Sequence, residues 1–193
     1  MFSGIIQNTQ KASKFLKENG GLKVEFKFSS SFNVKVGESV AVDGICSTVE
    51  SKNQSRFAFY YMPETLRKTT FSQISNSHIF NLERSLMLGS LVSGHLVNGH
   101  IDTTAEVSSV KKEQDAKLIK FKVDKKFTKY IIYKGSIAVN GVSLTVVSVG
   151  KDFFSVSLIP YTLLQTNLGE LKVGEKVNIE VDFIAKYLEK LKK

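Results

Sequence analysis

Three segments from the first half of the chain return in the second half at one common displacement of 97 residues. Ser39–Val49 reappears as Ser136–Val146, with Asp43-Gly44 becoming Asn140-Gly141. Met62-Pro63-Glu64-Thr65-Leu66 reappears as Ile159-Pro160-Tyr161-Thr162-Leu163, and Phe80-Asn81-Leu82-Glu83 as Val177-Asn178-Ile179-Glu180. Valine-rich alternation recurs by chance in β-proteins. Gly, Pro, Thr, Asn and Glu matched at one displacement do not, because they carry conformations and hydrogen bonds that other residues cannot supply. The chain is an internal duplication, so its fold is one that about half of the 193 residues can make twice.

Within each unit the pattern is that of strands. Lys23–Phe28, Lys120–Val123 and Lys176–Phe183 alternate polar and apolar residues, the period of a half-buried strand. On that alternation Asp182 projects away from the apolar face, either as a functional carboxylate or as a solvated one. Asp43-Gly44 and Asn140-Gly141 supply the positive φ of tight hairpin turns. Several short strands in so small a unit predict an all-β fold, a small closed or nearly closed barrel made twice. Short helices are expected after Pro63 and Pro160, and a further one over Thr9 to Glu18. At the end of the chain Ile184, Tyr187, Leu188 and Leu191 share one face of a helix that the first half lacks. It packs on its own barrel or on other subunits. The second is preferred, because so short a helix is marginal alone.

Hydrophobic residues make up 42% of the chain, enough for a core and too many for a disordered segment. Cys46 is the single cysteine, which excludes an intramolecular disulfide and suits a reducing compartment. Met1–Asn8 does not read as a signal peptide, and no apolar run approaches a membrane span, so a cytoplasmic location is expected. The net charge of +9 invites a nucleic-acid reading, but the basic residues are dispersed, with clusters only at Lys111-Lys112, Lys125-Lys126 and Lys190–Lys193. There is no interleaved aromatic and basic strand of the RNA-binding kind. A glycine-rich phosphate loop and a His/Cys cluster with metal spacing are also missing.

Four segments together resemble the riboflavin synthase family: Met1-Phe2-Ser3-Gly4-Ile5, Gly94–Asp102 with its two histidines His95 and His100, Lys134–Val146, and Asn178–Asp182. The resemblance covers nearly the whole chain. It implies two similar six-stranded antiparallel Greek-key barrels plus a C-terminal helix: a lumazine-binding barrel over 1–97, a second over 98–183, and an oligomerisation helix over 184–193. It implies a homotrimer whose active site lies between the N-terminal barrel of one subunit and the C-terminal barrel of a neighbour, and an association with lumazine synthase. The reaction implied is the dismutation of two molecules of 6,7-dimethyl-8-ribityllumazine to riboflavin and 5-amino-6-(D-ribitylamino)uracil, without cofactor or metal. A duplicated barrel suits it, since two like substrates need two like pockets that differ in role. The common displacement sets Cys46 against Ser143, Ser3 against His100, and Ser85 against Asp182.

The substrate's acidic methyl group must lose a proton, which needs a base near neutral pKa. His100 is the candidate; the plainer alternative is a histidine bonded to a backbone carbonyl. His95 is read as structural or supporting. Ser143, Thr145 and Asp182 are expected to line the C-terminal pocket and to meet ribityl hydroxyls or move a proton, with Lys134 stabilising charge on the deprotonated ring. In the N-terminal barrel Ser39, Cys46, Thr48, Glu64 and Thr65 match the family's ligand positions, with Phe2, Ser3 and Gly4 beside them. Thr162, the repeat partner of Thr65, and Ile159 take like places in the second barrel. Cys46 is a catalytic candidate as a nucleophile, or a small packing thiol. Ser47, Asn140 and Tyr161 depart from the family's usual leucine, aspartate and histidine.

Two rivals remain. A non-catalytic lumazine- or flavin-binding protein of the same fold would keep one binding barrel and lose polar residues from the other, whereas both halves here retain Ser-x-Ala-Val-(Asp/Asn)-Gly and Pro-x-Thr-Leu. An oligonucleotide-binding barrel, motivated by the charge, would bind single strands in a salt-dependent way.

Overall fold

The computed structural model describes residues 1–192; Lys193, the last residue of the basic tail, lies outside the described residues. The first half forms β1 (Asn8–Lys11), β2 (Lys14–Glu18), β3 (Gly21–Lys27), β4 (Ser39–Val42), β5 (Ile45–Lys52), β6 (Arg56–Tyr61), helix α1 (Pro63–Lys68) and β7 (Ile79–Arg84). The second forms β8 (Thr103–Glu113), β9 (Ala116–Lys122), helix α2 (Lys125–Thr128), β10 (Ser136–Val139), β11 (Val142–Val149), β12 (Phe153–Leu158), helix α3 (Pro160–Gln165) and β13 (Lys176–Val181), followed by α4 (Phe183–Leu191). Short 3₁₀ turns, Thr70–Gln73 and Asn167–Glu170, follow α1 and α3. No described helix is long and apolar enough to cross a membrane.

In the second half β10-β11-β12-β9-β8-β13 close into an antiparallel barrel of six strands. The first half has the same order but seven strands, β1-β7-β4-β5-β6-β3-β2, and its two edges are halves of one strand interrupted at Ala12-Ser13. The helix expected over Thr9 to Glu18 is therefore absent. Its residues pair instead with β7 and β3, for example Thr9 with Asn81 and Phe15 with Val24. Sheet closure outweighs a weak local preference for helix. The interruption falls where β8 carries a bulge, between Val107 and Ser109. There Val107 exchanges backbone bonds with Glu175 and Gly174 at 2.8 and 2.9 Å, a tie that keeps β8 continuous.

The strand registers locate the repeat more closely than sequence does. Ser39 pairs with Thr48 as Ser136 pairs with Thr145, and both barrels shift register at the same place, Val49/Ser51 and Val146/Ser148. From β4 onward the displacement is 97. Ahead of it, Asn8 opposite Leu82 corresponds to Thr103 opposite Ile179, and Leu22 opposite Tyr61 to Lys117 opposite Leu158, a displacement of 95. The two extra residues lie in the connection that holds α2. Ser3 accordingly corresponds to Asn98, and His100 to Ile5; the pairing of Ser3 with His100 is corrected.

The two cores fill one backbone differently. The first is aromatic, with Phe26, Phe57, Phe59, Phe71 and Phe80 meeting edge to face or stacked at centroid distances of 5.2–5.9 Å. The second places Phe121, Phe154, Val156, Leu168 and Val177 at the equivalent positions. Cores keep a fold when volume and patterning are kept, so the duplication survives the exchange.

A buried polar joint fixes one barrel on the other. Asp43 and Asn140, the corresponding turn residues, have φ of 46° and 44°, followed by Gly44 at 80° and Gly141 at 79°. A Cβ on Gly44 would lie 2.7 Å from Gly141 N, and one on Gly141 2.8 Å from Gly44 N, so both turns need glycine for contact as well as conformation. Asn81 Nδ2 donates to Asn140 O and Asn178 Nδ2 to Asp43 O, each at 3.0 Å. Asn81 Oδ1 accepts from Asn167 N, and Asn178 Oδ1 from Thr70 N. Each bond has its counterpart in the other half, which gives the pair of barrels a pseudo-twofold relation.

Candidate active site

Met1–Ile5 and Leu96–His100, the corresponding segments before the first strand of each half, cross the joint antiparallel. Phe2 N donates to Val97 O at 2.7 Å and Val97 N to Phe2 O at 3.0 Å. Both side chains are buried with Ala41 and Ala138, and Cys46 packs alongside. Each segment then reaches the opposite barrel: Ser143 N donates to Gly4 O, and Cys46 N to Gly99 O, both at 2.8 Å. Gly4 and Gly99 have φ of 75° and 79°. A Cβ there would stand 2.6 Å from Ser143 Cβ and 2.7 Å from Cys46 Cβ.

A buried glutamate holds each crossing. Glu83 Oε1 accepts from Ser3 N and Ser3 Oγ at 2.7 Å, and Oε2 from Gly4 N at 3.0 Å. Glu180 Oε1 accepts from Asn98 N at 2.7 Å, and Oε2 from Gly99 N and His100 N at 2.8 and 3.0 Å. Burial pushes both carboxyls above their ordinary pKa, and the backbone N–H donors oppose it. In the sequence these glutamates show only as markers of the repeat. A carboxylate ending the Phe-Asn-Leu-Glu and Val-Asn-Ile-Glu stretches of strand was the available signal.

On β5 and β11, Ile45, Ser47 and Val49, like Val142, Leu144 and Val146, point into the cores, so Cys46, Thr48, Ser143 and Thr145 face outward. Ser143 Oγ lies 2.7 Å from His95 Nδ1, and His95 N donates to Ser3 O at 3.2 Å. Burial lowers the His95 pKa, opposed by the charge of Asp182. His95, read from sequence as supporting, is thus paired with Ser143 and feels the charge of Asp182. His100 is exposed, and its backbone N–H is what Glu180 binds.

Asp182 does not continue the strand. β13 ends at Val181, and the Asp182 carboxylate caps α4 by accepting from Ile184 N at 2.9 Å. Asp102, the last residue of the two-histidine segment, accepts from Val181 N and holds Lys186 at 2.9 and 3.0 Å, which ties α4 to its barrel.

The remaining expected ligand positions lie on the strand pairs, helices and turns of each half. Ser39 and Ser136 are half-buried opposite exposed Thr48 and Thr145. Met62 and Ile159 stand exposed at the caps of α1 and α3, with Thr65 and Thr162 half-buried one turn on. Glu64 pairs with Lys68 on the α1 surface. Lys134 is exposed at φ 63°, with Nζ 5.5 Å from the Tyr133 ring centre. Ser47 Oγ lies within hydrogen-bond distance of Ile45 O, at 2.9 Å, and of the buried Tyr61 hydroxyl, at 3.0 Å, where the second barrel has Leu144 and Leu158. Among the described residues no group of three or more His, Cys, Asp or Glu side chains is arranged to hold a metal ion.

The family model of the lumazine binding domain matches the chain twice, over residues 3–85 and 98–182. Riboflavin synthase of Chlamydia pneumoniae is 43% identical over 96% of this chain and 92% of its own length. Riboflavin synthase of Bacillus subtilis (strain 168) is 38% identical over 97% of this chain and 88% of its own. Among solved structures, LumP complexed with riboflavin aligns with a TM-score of 0.87 at 26% identity, over 94% of this chain and 100% of that one. LumP complexed with 6,7-dimethyl-8-(1'-D-ribityl) lumazine aligns at 0.84. With two matched domains and such relatives over almost its full length, the chain belongs to the riboflavin synthase family of lumazine-binding proteins.

Proposed function

We propose that the protein is a riboflavin synthase. It takes two molecules of 6,7-dimethyl-8-ribityllumazine, moves a four-carbon unit from one to the other, and releases riboflavin and 5-amino-6-(D-ribitylamino)uracil, with no cofactor or metal. The observation that carries this reading is the retention of one outward polar row in both barrels, Ser39, Cys46 and Thr48 against Ser136, Ser143 and Thr145. Relatives named riboflavin synthase support it. Each barrel binds one lumazine, within 1–97 and within 98–183. The site is completed across a subunit boundary of a homotrimer, with 184–193 as the oligomerisation helix. The His95–Ser143 pair, with Asp182 beside it, removes the proton from the methyl group of one bound lumazine. Lys134 answers the charge left on that ring, and His100 and Cys46 act at its edge. Phe2, Ser3, Gly4, Glu64, Thr65, Ile159 and Thr162 wall the two pockets. The enzyme works in the cytoplasm in association with lumazine synthase.

The neighbourhood of LumP complexes favours one other reading, a ligand carrier on the same scaffold. Incubation of the purified protein with the lumazine alone separates the two. One riboflavin formed per two lumazines consumed is the expected result. Tight binding without product would establish the carrier.

A further inference from the structure

Gly4 and Gly99 are single residues that span both barrels. The N–H of Gly4 points to Glu83 in its own half, and its carbonyl receives Ser143 N from the other. Gly99 repeats this between Glu180 and Cys46. The preceding Ser3 carbonyl receives His95 N, so the Glu83 clamp touches the anchorage of both members of the His95–Ser143 pair. Within each sheet, Glu83 lies opposite Ala41, itself opposite Cys46, and Glu180 opposite Ala138, itself opposite Ser143. The small alanines leave room for Phe2 and Val97 to cross above them. Glu83 is 1% exposed and Glu180 2%, so water cannot replace a lost bond at either carboxylate.

We propose that Glu83 is a positioning residue for Ser143, through Gly4, and for His95, through Ser3, and that Glu180 is one for Cys46, through Gly99, so that each glutamate acts on a reactive side chain in the hairpin of the other half. The proposal rests on the synthase reading for what those side chains do, and on geometry alone for their placement. In a chain made of two like barrels, this arrangement ties the register of each pocket to the integrity of the other.

The test is amide hydrogen exchange at residue resolution on the intact assembly, together with steady-state turnover. Glu83→Gln places an amide N–H against the Gly4 N–H, and should speed exchange at Ser143 and His95 by roughly tenfold while Cys46 stays unchanged. Glu180→Gln should do the reverse. Both variants should lower kcat by roughly tenfold with KM held within about twofold, because substrate contacts remain while the reacting groups are misplaced. Acceleration confined to each glutamate's own hairpin, or equal at Ser143 and Cys46, overturns the proposal. Should the glutamine variants not fold, Ser3→Ala removes one of the three bonds to Glu83 and should speed exchange at Ser143 and His95 but not at Cys46; no such bias overturns it equally. A crossed pattern in a protein that does not turn over the lumazine would remove the synthase reading and sustain the positioning.

Discussion

His95 Nδ1 and Ser143 Oγ sit 2.7 Å apart, on a loop of the crossing and on the hairpin strand it meets. Burial holds the imidazole below its ordinary pKa of 6.5, so it is neutral near neutral pH and able to take a proton from the hydroxyl or, through it, from substrate. His95→Gln should lower kcat by about a hundredfold with little change in lumazine affinity. A base must be unprotonated, so the wild-type rate should fall on the acid side with an inflection below pH 6.5, and the variant should lose that limb. A wild-type inflection above 6.5 would assign the base to another group.

Most of this site was legible because it lies on the repeat. Cys46 and Ser143 were matched by displacement alone, and the hairpin glycines by their Asp-Gly and Asn-Gly pairs. The errors have physical causes. Thr9–Glu18 has no strong alternation of its own and becomes strand only because β7 and β3 need a partner. Asp182 follows a strand that ends by helix capping, a competition that period-two counting does not register. Ser3 was misaligned by two residues because the length difference lies in a connection of low similarity. The glutamate clamps show in the sequence only as the carboxylates that end the repeated strand stretches, because all their partners but the Ser3 hydroxyl are backbone N–H groups that no residue type marks.

Ser47 and Tyr61 occupy the places of Leu144 and Leu158, a small residue with a large one against two of middle size. Burial pushes the Tyr61 hydroxyl pKa well up, so it stays neutral, with Ser47 Oγ 3.0 Å away as its hydrogen-bond partner. Ser47→Leu alone should destabilise by about 2 kcal/mol through overpacking, and Tyr61→Leu alone by a similar amount through a void. The double variant recreates the pair of the second barrel and should cost clearly less than the sum. Thermal or urea unfolding of the four proteins reads the coupling; simple additivity would show that the two sites repack independently.

His78 Nε2 lies 2.6 Å from Asp43 Oδ2, while Asp43 Oδ1 accepts from Asn81 N and Asn167 Nδ2. Burial disfavours the charged ring, yet the Asp43 hydrogen bond and charge, with Glu175 behind them, raise its pKa above 6.5. A histidine raised in the folded state contributes stability fully below the unfolded value and loses it as pH rises through the folded one. The inter-barrel joint should therefore weaken above pH 6.5. His78→Gln should cost about 1–2 kcal/mol on the acid side of that window and little on the alkaline side. Melting temperatures across the window decide it, since a variant whose deficit is constant with pH would show that protonation plays no part.

Helix α4 is fastened by its polar side. Asp182 caps it, Lys186 binds Asp102, and Glu189 pairs with Lys129. Its apolar stripe is left outward, with Ile184, Tyr187, Leu188 and Leu191 between 53% and 74% exposed. Ion pairs this close to the surface contribute little to stability, so they orient the helix more than they hold it, and the stripe they leave bare suits a face shared between subunits. Leu188→Asp with Leu191→Asp should convert the proposed trimer to monomers in sedimentation while the unfolding of the barrels is unchanged. If the pockets meet across the subunit boundary, turnover should fall with assembly. Restoring activity by raising protein concentration would tie the loss to association rather than to damage within the barrel. A double variant that remains trimeric would place the contact elsewhere on the barrels and leave α4 as a surface strap.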